Sequence, residues 1–88
     1  MSFTKAQDLT DLTTLETKLS TCVTTKGTRN EPRAKSEYET EKNTVNGRSD
    51  LNKYRLGLDY LDVLVESGDY AGAKAIVANM KDRVNQLP

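Results

Sequence analysis

Histidine is absent from this chain and cysteine occurs once, at position 22. A structural zinc site of four Cys and His ligands is therefore excluded, and so is an intramolecular disulfide. The lack of histidine also removes the side chain most used for proton transfer near neutral pH, leaving any catalysis to carboxylates, Lys, Tyr or the single thiol. Cys22 sits beside Leu19 and Val23, with no imidazole to draw off its proton, and reads as a buried, inert residue. Long apolar runs are missing too. Runs such as Val63-Leu64-Val65 fall far short of the roughly 20 residues a membrane-spanning helix needs. The N-terminus MSFTKAQDLTDL has no basic region followed by an apolar one, so it does not read as a signal peptide. A reduced, cytoplasmic setting without secretion is the expectation that fits a lone thiol.

Excess charge is lacking as well: 13 basic and 13 acidic residues cancel. A neutral chain argues against a general binder of nucleic acid or of anionic membrane, because such binding relies on surplus Lys and Arg to displace counterions. With 88 residues, of which 35% are hydrophobic, the chain is one small domain with a small core. Domains of this size bury a modest share of their surface, and a partner subunit is the simplest added source of stability. No phosphate-binding G-x-x-x-x-G-K-S/T or G-x-G-x-x-G pattern occurs, and no cofactor is implied. The composition points to a non-catalytic protein.

What is present is helical periodicity. Leu9, Leu12, Leu15, Leu19 and Val23 step by three and four, which puts them on one face of a helix spanning about 4–25. Thr4 and Gln7 have the spacing of a capping box, and Gly27 is a natural stop. The many threonines of this segment lower its helix propensity, so it depends on packing. From Ser49 a second stripe, Leu51, Tyr54, Leu58, Leu61 and Val65, predicts a helix over about 50–67. Ser49 is its N-cap and Gly68 its stop. Asp69 then caps a third helix over about 70–86 with the stripe Tyr70, Ala73, Val77, Met80, Val84 and Leu87. So short a joint predicts an antiparallel αα-hairpin, and Ala71, Gly72, Ala75 and Ala78 keep its second helix slim.

Residues 26–48 form a polar connector whose only apolar side chains after Gly27 are Ala34, Tyr38 and Val45. It either forms a helix from Asn30–Pro32 until Asn46-Gly47 breaks it, or pairs SEYET with TVNGR as a β-hairpin around Glu41-Lys42-Asn43. Poor alternation favours the helical or irregular form. The fold class is thus mainly α, or α+β if residues 36–48 form the hairpin.

Two opposed charge clusters emerge. Lys26, Arg29, Arg33 and Lys35 concentrate basic charge in the connector, with Glu31 the only opposing residue. Asp59, Asp62 and Glu66 share one helix face, near a C-terminus where negative charge is unfavourable, so a positive group belongs nearby. Solvated surface accounts for both clusters; so does docking of the basic connector of one copy on the acidic face of another, as in head-to-tail homo-oligomers. Tyr38 and Tyr60, with Tyr54 and Tyr70, are candidate interface anchors because Tyr joins apolar area to a polar tip.

The run Ser49-Asp50-Leu51-Asn52-Lys53-Tyr54-Arg55-Leu56-Gly57-Leu58-Asp59 reads S-D-L-x-K-Y-x-x-x-L-D/E, and Leu12 to Leu19 opens L-x-x-L-E. Together they resemble the small W-type head-completion proteins of tailed bacteriophages, in which a first helix leads through a short polar β-hairpin into such a second helix. The resemblance implies copies arranged in a ring that joins the filled head to the tail; residues 69–87 have no counterpart in it. A shorter run, Gly47-Arg48-Ser49-Asp50-Leu51-Asn52, resembles a stretch of small helical phage proteins that sequester cyclic nucleotide signals. That alternative, an inhibitor of a host defence protein or signal, would make Arg48 and nearby lysines phosphate contacts.

Overall fold

The computed structural model describes residues 4–47 and 55–86, with side chains from residue 58 onward in the second stretch. Four helices follow one another: α1 (Lys5–Thr25), α2 (Glu31–Asn46), α3 (Arg55–Glu66) and α4 (Tyr70–Asn85). No strand occurs among the described residues. Side-chain links fix the directions. Lys5 reaches the carbonyl of Asn85 while Lys26 reaches that of Gly68, so α1 and α4 run antiparallel. Lys35 meets Glu66 and Lys42 meets Asp62, so α2 and α3 do too. The result is an up-down-up-down four-helix bundle of 41 × 21 × 19 Å.

The capping box of α1 forms as its spacing predicts: Gln7 N–H donates to Thr4 Oγ1 at 3.1 Å and Thr4 N–H to Gln7 Oε1 at 2.9 Å. The threonine-rich helix keeps its hydroxyls satisfied internally. Thr10, Thr14, Thr17, Thr21, Thr24 and Thr25 each donate to the carbonyl four residues earlier, at 2.8 to 3.3 Å. Leu12, Leu15 and Leu19 are buried, but Val23, the predicted end of the stripe, is 45% exposed. A four-residue step from Leu19 carries position 23 past the core, and Cys22 takes the place, fully buried. The same drift of register brings Asp8 inward, to 7% exposure.

The connector takes the helical form of its two alternatives. It is α2, with Pro32 in its first turn, and the β-hairpin alternative is not formed. Ala34, Tyr38, Lys42 and Val45, at steps of four, four and three, make its inner face. Lys42 occupies the missing apolar position by laying its methylene stem along the core while its ammonium meets Asp62. A segment that looked almost coreless thus contributes three apolar side chains to the common cluster.

Leu58, Leu61 and Val65 are buried as their stripe predicts. The proposed cap at Ser49 and the positions of Leu51, Tyr54 and Leu87 lie outside the described residues. Gly68 ends α3 with a φ of +83°, in the left-handed region open to glycine. The Asp69 N–H donates to Leu64 O at 2.8 Å and the Gly68 N–H to Val65 O at 3.0 Å, the two bonds of a Schellman stop. Asp69 at once caps α4 by accepting from the Gly72 N–H at 2.9 Å. Gly72 is small for a local reason: a Cβ there would lie 2.8 Å from the Asp69 carboxyl carbon.

Candidate functional site

The bundle end that carries both short turns gathers several of the sequence-marked charges. Lys26 donates from Nζ to the Gly68 carbonyl at 2.7 Å, compensating the C-terminus of α3, and lies 6.0 Å from the centre of the Tyr70 ring. Glu31 accepts from the Gly27 N–H at 2.9 Å and from the Tyr70 hydroxyl at 2.5 Å. These bonds, the phenol's first, hold the Glu31 carboxyl below its usual range. The same bond, aided by burial, pushes the Tyr70 phenol up to about 12.

Glu66, near the end of α3, does have its positive neighbour: Lys35 at 3.5 Å. Asp62 is held by Lys42, a residue the charge pattern did not mark because it stood isolated from the basic cluster. Arg33 pairs with Glu37 of its own helix at 3.7 Å. The basic and acidic clusters therefore meet within one chain at Lys35 and Glu66, which removes that pair from the stock of charge free for a second copy. Tyr38 also fails as an anchor in this conformation. It is wholly buried, because a helix starting at Glu31 directs it inward with Ala34 and Val45. Burial, with the fields of Asp62, Glu39 and Cys22, pushes its phenol up. Arg48 lies outside the described residues.

After these internal links are set aside, Arg29, Asp59 and Tyr60 remain on the surface. Asp59 and Tyr60 lie on the outer face of α3, where Tyr60 is 50% exposed. Val63, one turn on, is 62% exposed and joins them. It lay hidden in the run Val63-Leu64-Val65; its signal was a place three residues after Tyr60 and off the stripe Leu58, Leu61, Val65. The arrangement is a small apolar contact edged by carboxylates.

Nothing assembles a reactive centre around Cys22. Burial raises its thiol, and the fields of Glu31 and Glu37 raise it further, the reverse of what a nucleophile needs. Among the described residues no group of three or more Cys, Asp and Glu is placed to hold a metal, and no helix is long and apolar enough to cross a membrane. Compared with known proteins, the chain matches no family model, no curated protein and no solved structure.

Proposed function

We propose that the chain is a non-catalytic assembly protein that binds protein, with the outer face of α3 as its contact. The observation that carries this reading is the exposure of Tyr60 and Val63 side by side with Asp59, after the other charges of the two clusters have found partners inside the chain. An aromatic ring beside an aliphatic side chain, edged by charge, is the usual make-up of a binding anchor. The partner is a second copy, meeting this face with the turn that carries Arg29. Two α3 faces set against each other would oppose carboxylates, whereas Arg29 against Asp59 pairs opposite charges, and such unlike surfaces generate a ring. The resemblance of residues 49–59 to phage head-completion proteins supplies the specific form: a head-tail connector acting in the host cytoplasm or in the virion.

The test is mass in solution. The assembled species should be a multiple of 9.8 kDa. Asp59→Arg should weaken it, and Arg29→Asp in the same chain should restore it by exchanging the signs. Tyr60→Ser with Val63→Ser should leave a folded monomer. A chain that stays monomeric at high concentration and with head and tail proteins present would overturn the reading.

A further inference from the structure

The two hairpins of the bundle meet along two unlike lines. α1 packs extensively on α4 and on α2, and an ion pair across α1 and α4, Lys81 to Glu16 at 3.1 Å, has both side chains about three-quarters covered. Along the other line α2 and α3 touch little among the described residues. Outside the shared core the two are tied by charge, Lys42 to Asp62 and Lys35 to Glu66, beside an open cleft lined by Glu39, Lys42, Asn43, Asp62 and Glu66. At the turn end the ties from α1 and α2 to the other hairpin are also polar, Lys26 to the Gly68 carbonyl and Glu31 to the Tyr70 hydroxyl.

We propose that this α2–α3 line is a seam that opens while the α1–α4 packing serves as the hinge, so that the domain alternates between a closed bundle and a spread pair of hairpins. Three observations carry it. The carboxylates of the two ion pairs are well exposed, at 46% for Asp62 and 69% for Glu66, so water and salt compete for them directly. Among the described residues the backbones of α2 and α3 approach each other closely at few places, which is the condition for an opening below the global unfolding threshold. And the closed form buries a phenol hydroxyl, that of Tyr38, with no hydrogen-bond partner. Opening returns it to water and removes a penalty that closure imposes. The seam does not depend on the oligomeric reading above: it is a property of one chain.

Cys22 is the probe that the chain itself supplies. It is fully buried, and its field reaches both Tyr38 on α2 and Tyr70 on α4, one on each hairpin, so it lies where the two hairpins close on each other. The rate at which a neutral thiol reagent labels it, normalised to labelling of the urea-unfolded chain, reads the opening. Raising salt from about 0.05 M to about 0.5 M should accelerate labelling severalfold, because screening acts on the exposed ties. Asp62→Asn should accelerate it about three- to fivefold at low salt, the scale of one partly exposed ion pair, and should blunt the response to salt. Lys81→Met, across the hinge, should lower the urea midpoint yet leave the labelling rate unchanged, because the α1–α4 packing is kept in the open form. Tyr38→Phe should slow labelling. Labelling that ignores salt and Asp62→Asn, or that accelerates in step with the lost stability of Lys81→Met, would overturn the seam.

Discussion

The Tyr70 hydroxyl donates to Glu31 at 2.5 Å, tying the first turn of α4 to the first turn of α2 across 39 residues of sequence. The bond requires a protonated phenol and an ionised carboxylate, and each partner shifts the other away from neutral pH. For Glu31, held below 4.5, the stabilisation is complete above that value and is lost as pH falls through the lowered one. For Tyr70, raised from 10.0 to about 12, it is complete below 10.0 and is lost as pH rises through about 12. Tyr70→Phe should therefore lower the melting temperature across neutral pH, with the gap to the parent narrowing at both ends. A gap that does not vary with pH would mean the ring packs but the bond contributes nothing.

Tyr38 should respond to substitution in two directions. Its hydroxyl is buried without a partner, so Tyr38→Phe should stabilise the domain by about 1 kcal/mol, measured by urea denaturation. Tyr38→Ala, which empties the same space, should cost about 3–5 kcal/mol, enough to unfold much of a small domain.

Position 22 and position 23 should exchange the roles the leucine spacing gives them. Val23→Ala, on the exposed side, should change stability by less than about 0.5 kcal/mol, whereas Leu19→Ala should cost about 2–5 kcal/mol. Cys22→Ser should destabilise by placing a hydroxyl in the core. Equal effects at 22 and 23 would contradict the register of α1.

Gly72→Ala should fail to give the gain of about 1 kcal/mol that such a change usually brings inside a helix. The new methyl group would displace the Asp69 carboxylate, forfeiting a cap worth about 1 kcal/mol. Once Asp69→Ala has removed the cap, the same Gly72→Ala should stabilise. A double-mutant cycle on thermal unfolding separates these outcomes.

Where the sequence was legible, local chemistry and long-range packing asked for the same thing. The Thr4 box, the stop at Gly68 and the cap at Asp69 are short-range hydrogen-bond patterns, and the bundle had no reason to override them. α2 was ambiguous because one of its four inward positions is Lys42, which enters a count of polar residues with its full charge although most of its length is hydrocarbon. Charge clustering marked Lys35 and Glu66 but gave no sign that they face each other, since the turn directions that bring α2 beside α3 are absent from either cluster. Val63 was lost inside an apolar run in which only register separates the inner residue from the outer one.

The bond from Lys5 Nζ to the Asn85 carbonyl, 2.8 Å long, places the start of α1 beside the end of α4. The described residues 4–86 therefore trace nearly a closed loop, and the order of helices is not unique to the architecture. A few flexible residues joining the position before Thr4 to the one after Gln86, with new ends cut at the exposed turn around Gly27, would give a permuted chain in the order α2, α3, α4, α1 with the same packing partners. Joined without a cut, the same ends would make a backbone ring, whose unfolded state has less freedom to gain and which should resist heat for that reason alone.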